Sequence, residues 1–316
     1  MHEAHPASSS RPDESVAEPA SRGPRGHAVL GVGIATLDII NEVASYPAED
    51  AEVRALAQRR VRGGNVTNSL AVLAQLGHRC RWIGTLGDDA AADLILADLA
   101  EHRIVTDGLR RVPGGATPTS FIALSRESGS RTIVHFRDLP ELDAATFARV
   151  PLEGIDWVHF EGRNPSETRE MMRRVRAEAP QIRRSLELEK PRAEIDSLLD
   201  GPHVLLASRA FATAQGFETP ARFLRHLATR TGASLCVVAW GEQGASCLAR
   251  GDQVRHIPAH APPRVIDTLG AGDVFNAGVI DGLARGLPGP EAVAAAVRLA
   301  GIQCGQCGLR LPSEAL

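Results

Sequence analysis

The stretch DTLGAGDVFNAGVI, residues 267–280, joins a glycine-rich turn to the start of an apolar helix. The preceding RVID (264–267) can end a strand, and GDVFNAGVIDGLARG (272–286) carries a helical packing stripe. The GAG tripeptide (270–272) then lies at a helix N-terminus, where four backbone N–H groups lack intrahelical partners. Its small residues let an anion approach those groups closely. The stretch therefore predicts a phosphate-type anion site built from backbone amides.

Asp273 follows this tripeptide directly and has two interpretations. A carboxylate beside a bound anion suits a general base, which takes a hydroxyl proton while the amides hold developing charge. Alternatively, Asp273 only caps the helix, and on this motif alone the cap is the simpler interpretation.

A second glycine-led element, RGGNVTNS (62–69), favours the base. Asn65 and Asn68 are spaced i, i+3 and so share one helix face. Each amide both donates and accepts, which suits the paired hydroxyls of a polyol. The alternative is an Asn cap followed by a solvent-facing Asn. Asp38, just after the first buried strand, predicts a third polar group converging on the same ligand.

Apolar runs alternate with helical patterns from His27 onward, which predicts an α/β fold with a mostly parallel sheet and helices on both faces. Helices are predicted over 65–77 and 88–102. The predicted strands are 27–35, 80–87, 157–162, 184–189, 203–208 and 235–240.

Two stretches, 38–61 and 117–136, look instead like hairpins of short strands. They predict a small β-sheet lid over the carboxyl edge of the main sheet, with lid strands inserted at about 38–62 and 110–137 of one domain, 27–316. Such a sheet leaves an apolar face uncovered, and a twin subunit would bury it, so we expect a homodimer through the lid.

The amino-acid composition argues against nucleic-acid and membrane partners. The net charge of −3 gives no sign of a nucleic-acid partner, and no apolar stretch is long enough for a bilayer. Five scattered cysteines, of which only CGQC (304–307) forms a close pair, predict reduced thiols and a cytoplasmic protein. Residues 1–26 are rich in Pro, Ser and charge, and we expect a disordered tail.

Several catalytic motifs are absent from the sequence. GVGIAT (31–36) fails the GxGxxG dinucleotide pattern, and a chain whose single lysine is Lys190 has no GxxxxGK[ST] loop. HExxH and GxSxG are also missing. A Walker-type nucleotidase, a zincin and an α/β-hydrolase are therefore disfavoured.

Together, the GGNxxN and DTxGAGD elements resemble the two signature regions of the ribokinase/PfkB family of sugar kinases. The resemblance runs from about residue 28 to about 310 and implies a ribokinase-like three-layer sandwich with a lid. Within the family, the chain looks most like the ketohexokinases, which phosphorylate fructose at O1. The stretches that carry this closer likeness are 45–69, GSRTIVHF (129–136), WVHFEGRNPSE (157–167), LELEKPR (186–192), AWGEQGA (239–245) and 262–280.

The resemblance implies a role for each matching residue. Asp273 matches the catalytic base, and Gly270, Ala271 and Gly272 match the anion hole. Residues matching sugar contacts are Asp38, Gly64, Asn65, Asn68, Arg131 near the transferred phosphate, and Asp50, which the partner subunit's lid delivers. Residues in segments that line the nucleotide are Arg209, Trp240, Glu242, Gly244 and Asn276.

The chain departs from the family pattern at an element that organises the metal ion. Many family members carry Asn-x-x-Glu where this chain reads SRAF (208–211), without the Asn or the Glu. Ketohexokinases are similarly degenerate at this position, so the difference supports the closer likeness. The metal ligands are therefore unassigned, with Glu187 or Glu189 as candidate substitutes. Arg209 takes the place of a lysine beside the phosphates. It keeps the positive charge of that lysine but not its geometry.

The implied activity is ATP-dependent phosphorylation of a ketose, with fructose at O1 as the favoured substrate. The resemblance implies Mg²⁺ as a cofactor and leaves open whether the activity depends on K⁺. Two alternatives stay open at this point. One is a PfkB-type kinase of another sugar or of fructose O6, and the other is a catalytically silent sugar or nucleotide sensor on the same fold.

Overall fold

Parallel strands covered by helices on both faces form the body of the protein, which we describe from a computed structural model over residues 1–2 and 26–312. The predicted tail, 1–26, lies almost wholly outside these described residues. The strands are β1 (Ala28–Val32), β2 (Thr36–Val43), β3 (Ala57–Gly63), β4 (Arg79–Ile83), β5 (Thr85–Gly87), β6 (Arg110–Val112), β7 (Thr119–Ser125), β8 (Arg131–Phe136), β9 (Trp157–Glu161), β10 (Arg183–Leu188), β11 (Val204–Ser208), β12 (Leu235–Ala239), β13 (Ala245–Ala249) and β14 (Arg255–Ile257). The α-helices are α1 (Asn65–Gln75), α2 (Ala90–Glu101), α3 (Ala144–Phe147), α4 (Pro165–Glu178), α5 (Arg209–Ala214), α6 (Pro220–Ala228), α7 (Ala271–Ala284) and α8 (Gly289–Cys304).

The main sheet has the order β14-β13-β12-β11-β10-β9-β1-β4. Its strands are parallel from β4 through β12, and β13 and β14 add an antiparallel edge. Helices α1, α2, α7 and α8 pack on one face, while α3 to α6 pack on the other. The α/β fold with a mostly parallel sheet and three layers, expected from the alternating pattern, is confirmed.

Strand β1, AVLGV, shows why the apolar runs become central strands. All five residues are buried, because a parallel strand with helices on both faces has no solvated side. Gly31 lies under α1, where an added Cβ would come within 2.6 Å of the side chains of Val66 and Leu70. The close packing brings the N-terminus of α1 to the carboxyl edge of the sheet.

A separate four-stranded sheet, β3-β2-β7-β8, forms the lid. It contains the strands predicted as hairpins within 38–61 and 117–136. Strand β6, at 110–112, pairs with β5 in a two-stranded sheet, so the second lid insertion begins at Thr119 rather than near 110. Phe121, Val134 and Phe136 share one lid face and are exposed by about half or more.

Two predicted strands were wrong in detail. The run 80–87 divides at Gly84, where an added Cβ would lie 2.5 Å from Gly33 O, and the chain then leaves the main sheet for β5. The segment 264–267 is not a strand, because Ile266 N donates to Cys304 O at the end of α8 instead of to a strand. In the described part of the chain, no helix has the length and apolar character needed to cross a membrane.

Candidate active site

The anion-binding turn predicted at 270–272 begins helix α7. Gly270 is the N-cap residue, with φ 77° and no side-chain cap bond, and an added Cβ would lie 2.7 Å from Leu309. An added Cβ on Gly272 would meet nothing within 4 Å, so the backbone there faces open space. The turn thus begins a helix with a glycine on each side of Ala271, whose own N–H donates to Thr268 O at 3.3 Å. Backbone N–H groups at such a helix start form an amide nest that suits an anion.

Asp273 lies in the first turn of α7 but does not cap it. Its side chain is buried, and its Oδ2 accepts a hydrogen bond of 2.7 Å from Asn68 Nδ2 of α1. The pKa of Asp273 is raised to about 8, mainly by burial and also by nearby Glu189 and Glu161, while the Asn68 bond and Arg62 lower it. A carboxyl group poised near neutral pH favours the base over the cap.

Asn68 is held from its other side by Arg62, the last residue before Gly63 and Gly64. Arg62 Nη1 donates to Asn68 Oδ1 at 2.7 Å, and Arg62 Nε donates to Asp98 of α2. Arg62 and Asp98 were not predicted as site residues, because nothing in their spacing connects them to a site.

Glu187, at the carboxyl end of β10, joins the two helices that carry the predicted sugar and nucleotide residues. Its Oε1 accepts from Asn65 Nδ2 of α1 at 3.2 Å and from Asn276 Nδ2 of α7 at 2.9 Å. Its Oε2 is buried without a partner among the described residues. Burial holds the pKa of Glu187 well above its usual value, and Asp273, Glu161 and Glu189 raise it as well.

Asp38 lies on the lid strand β2, next to Gly63 at the end of β3. An added Cβ on Gly63 would lie 2.1 Å from Asp38 Oδ2, so only glycine fits there. Burial raises the pKa of Asp38, which also accepts a hydrogen bond of 2.8 Å from Thr36 Oγ1. Gly64 itself has φ 103° and precedes α1 as its N-cap residue.

Two predicted sugar contacts stand apart from the buried cluster. Arg131, on the exposed strand β8, donates to Thr268 Oγ1 at 3.1 Å and so reaches the loop before the nest. Asp50 lies in the exposed loop between β2 and β3 with φ 60°. The structure does not bring Asp50 to the other site residues of its own chain, and its predicted role depends on a partner subunit.

Four of the five predicted nucleotide residues follow β11 or β12 at the same sheet edge, and the fifth, Asn276, lies on α7. Arg209 begins α5, and its guanidinium lies 5.7 Å from the ring of the buried Trp240. Glu242 is exposed in a short 3₁₀ turn, and Gly244 has φ 89° with Ile257 O 2.2 Å from where a Cβ would be. Through its bond to Glu187, Asn276 links to the buried cluster.

The lid is tied to the nest loop by an ion pair. Arg59 Nη2 of β3 lies 2.8 Å from Asp267 Oδ2, and Arg59 Nη1 donates to Cys307 Sγ at 2.7 Å. Asp267 is buried and also accepts from Leu269 N. Cys304 ends α8 and Cys307 follows it, as expected for a pair of free thiols at the end of a C-terminal helix.

A cavity of about 340 Å³ adjoins this arrangement on the side of Arg62 and Asp98. It reaches both Asn68 and Gly270, so the asparagine-bearing helix and the nest are neighbours across one opening. The juxtaposition that the two motifs predicted is therefore present in the fold.

Comparison with known proteins identifies the protein family to which the chain belongs. The family model described as pfkB family carbohydrate kinase matches residues 27–316. The chain belongs to this family of carbohydrate kinases, as the sequence resemblance predicted, and it is an ATP:sugar phosphotransferase.

Individual relatives agree with that class. Mouse ketohexokinase is 41% identical over 289 residues, which cover 89% of this chain and 97% of the mouse protein. The 1-phosphofructokinase of Rhodobacter capsulatus is 28% identical over 88% of this chain and 92% of its own. The crystal structure of a putative ribokinase from Agrobacterium tumefaciens superposes with a TM-score of 0.79 at 25% identity, covering 90% of this chain and 92% of that one.

Proposed function

We propose that this kinase phosphorylates a ketose, with fructose as the substrate and its O1 hydroxyl as the acceptor. The observation that carries the proposal is the 2.7 Å bond between Asn68 and Asp273. It joins a side chain suited to a polyol hydroxyl with a base suited to deprotonate one. The 41% identity to the mouse protein named ketohexokinase supports a ketohexose as the sugar.

In the proposed reaction, the ketose hydroxyls bind to Asp38, Gly64, Asn65 and Asn68. Asp273 accepts the O1 proton as O1 attacks the γ-phosphorus of ATP. The new O1–P bond forms while the bond from the γ-phosphorus to the bridging oxygen breaks, and ADP leaves with that electron pair.

The nest amides of Gly270, Ala271 and Gly272 are proposed to hold the charge that develops on the transferred phosphoryl group. Arg131 is close enough to the nest loop, through its bond to Thr268, to add positive charge there.

ATP is proposed to lie along the residues that follow β11 and β12. Trp240 and Gly244 shape this surface, Arg209 offers charge to the phosphates, and Glu242 and Asn276 complete the set. The solved ribokinase of Arabidopsis thaliana, described as complexed with ribose and ATP, shares the fold with a TM-score of 0.74 at 21% identity.

The carboxylates around Glu187 fit a divalent cation near the phosphates. Its Oε2 has no hydrogen-bond partner in the part of the chain that the structure describes, and Asp273, Glu161 and Glu189 add negative charge around it. The described residues form no group of three or more acidic, His or Cys side chains that could hold a metal by themselves. Mg²⁺ is usually bound through one or two carboxylates together with substrate phosphates and water, so Glu187 and its neighbours need supply only part of its shell. When bound, Mg²⁺ would neutralise charge on the β- and γ-phosphates, with Glu187 or Glu189 facing its water shell. Replacing K⁺ by Na⁺ in the assay tests a role for a monovalent cation.

We also propose a homodimer through the lid. The apolar residues Phe121, Val134 and Phe136 on one lid face support it, because a second copy would remove them from water. In such a dimer, Asp50 reaches the sugar bound by the partner subunit.

Mixing two inactive variants tests that exchange. Asp50→Ala and Asp273→Asn, unfolded and refolded together, form heterodimers with one complete site. Random pairing restores about a quarter of wild-type activity if each site uses the partner's loop in a two-fold dimer. Refolding Asp273→Asn alone is the control, and no recovery in the mixture refutes the exchange.

The substrate is tested by ADP release with fructose, tagatose, ribose, glucose and fructose 1-phosphate, with Asp273→Asn as the blank. We expect fructose to give the highest kcat/KM and NMR of the product to show phosphate on O1. Phosphate on O6, or preference for another sugar, replaces the proposal by the corresponding kinase. Sugar or nucleotide binding without ADP release with any of these sugars would contradict the proposed ketose kinase and favour the sensor alternative.

A further inference from the structure

Arg62 is a buried guanidinium between the lid and the predicted base. It lies on β3, and its side chain is 3% exposed. Its Nη1 donates to Asn68 Oδ1 at 2.7 Å, and its Nε donates to Asp98 of α2. Asn68 Nδ2 in turn donates to Asp273 Oδ2 at 2.7 Å. A continuous hydrogen-bonded chain therefore runs from Asp98 through Arg62 and Asn68 to Asp273.

The chemistry of the Asn68 amide fixes which of its atoms faces Arg62 and which faces Asp273. An asparagine side chain has one oxygen that accepts and one NH₂ group that donates. Arg62 has only donors, so it binds the oxygen of Asn68 and leaves the NH₂ group facing Asp273. Without Arg62, the Asn68 amide could rotate and turn its oxygen toward the carboxylate, where two acceptors would repel each other.

We propose that Arg62 is a positioning residue for phosphoryl transfer, fixing the Asn68 amide so that it orients the Asp273 carboxylate, and that Asp98 holds Arg62 in place. The inference rests on the proposed function, in which Asp273 is the base. It does not depend on which sugar is the substrate, because the contacts of Arg62 with Asn68 and of Asn68 with Asp273 form within the protein.

The charge of Arg62 adds to this geometric role. Asp273 faces acidic groups from two strands and from the loop after them: Glu161 on β9, Glu187 on β10 and Glu189 just beyond it. Burial and these carboxylates raise its pKa, while the Asn68 bond and Arg62 lower it. Removing Arg62 leaves the base more fully protonated at neutral pH.

The test uses two arginines of the same strand. Arg62→Met removes the donors and the charge but keeps an unbranched side chain. Arg60→Met is the matched control, because Arg60 lies two residues away with an exposed side chain. We expect Arg62→Met to lower kcat by roughly 10- to 100-fold, as a small misplacement of a reacting group does. We expect Arg60→Met to stay within about two-fold of wild type, as surface substitutions usually do.

A pH profile separates positioning from mere support of the fold. In Arg62→Met, the acid limb of kcat/KM should move upward by about one pH unit, because a positive charge near the base is lost. Arg62→Lys keeps the charge and should return the limb toward wild type while kcat recovers only in part. If Arg62→Met keeps the kcat and acid limb of Arg60→Met and differs only in Tm, the positioning role is wrong.

Asp98→Asn covers the case in which Arg62→Met does not fold. Asp98 is about one-third exposed on α2, so its substitution should be tolerated. It weakens the anchor of Arg62 and should give a smaller loss of kcat than Arg62→Met. Wild-type kcat and an unmoved acid limb in both Asp98→Asn and Arg62→Lys would overturn the proposal.

A readout without turnover distinguishes this inference from the proposed function. The side-chain NH₂ signal of Asn68 in a ¹⁵N NMR spectrum should follow the titration of Asp273 in wild-type protein. The midpoint should rise in Arg62→Met and not in Arg60→Met. If wild type phosphorylates no sugar but this shift is seen, the proposed function fails and the chain of contacts stands. If turnover is normal and the midpoint does not move, the inference about Arg62 fails alone.

Discussion

The carboxyl edge of the main sheet and the lid differ in how firmly they are built. At the sheet edge, Asp273 and Glu187 are buried and hydrogen-bonded across two helices. In the lid, every residue of β8 is exposed, and the described ties to the nest loop run through Arg59 and Arg131. The groups proposed for chemistry are therefore preorganised in the core. The outer strand β8 of the covering sheet is exposed, whereas its strand β3 is anchored beside the core through Arg62.

The largest expected effect is at the sheet edge. Asp273→Asn should fold and still bind ligands but lose about 10²–10⁴-fold in kcat, the usual contribution of a positioned general base. Circular dichroism checks folding, and ADP release measures kcat. Near-wild-type turnover by this variant would remove Asp273 from its role as base.

The pH dependence of wild-type kcat/KM tests the same carboxylate without a mutation. Asp273 must be ionised to accept a proton, and its pKa is raised to about 8. Activity should therefore rise with pH up to about 8, well above the range of an ordinary aspartate. A flat profile between pH 5 and 8 would contradict a buried carboxylate as base.

The folding stability of the wild-type protein should fall as pH rises, whereas its activity should increase. Between the ordinary pKa of 3.8 and the raised value of about 8, native Asp273 binds a proton that the unfolded chain has released. This group therefore makes wild type less stable as pH rises through that window. Asp273→Asn lacks the effect, so its Tm relative to wild type should increase from pH 4 to pH 8. A constant difference in Tm would argue that Asp273 is solvated.

A smaller effect is expected where the lid meets the nest loop. Arg59→Met removes the partner of the buried Asp267, so the lid should hold the sugar less well. We expect the KM for the sugar to rise roughly 3- to 10-fold with a smaller change in kcat, since lids commit substrate rather than perform chemistry. Arg60→Met is again the control. Loss in kcat alone would place Arg59 with the chemical groups of the core.

The smallest expected effect is at the exposed thiol beside Arg59. Cys307→Ser keeps an acceptor for Arg59 Nη1, and surface substitutions usually change stability by less than about 0.5 kcal/mol. Activity and Tm should stay close to wild type. A clear loss of activity would give the CGQC segment a role that neither its spacing nor its contacts predict.

Local patterns predicted much of this molecule because their physics is local. Apolar runs became strands and periodic stretches became helices, and the nest at 270–272 follows from which residues can begin a helix. The segment 264–267 shows the limit. Its composition suits a strand, but its backbone bonds to the end of α8, and no local pattern reveals that partner.

By itself, the sequence determined the α/β architecture, the two signature elements and the identity of the residues proposed as base and sugar contacts. Only the tertiary structure decided how these residues are held. Asn68 meets Asp273 across 205 positions, and Glu187 meets Asn276 across 89, so their contacts depend on how α1, α7 and β10 pack. Burial raises the pKa of Asp273, and burial is a property of the assembled core rather than of any motif.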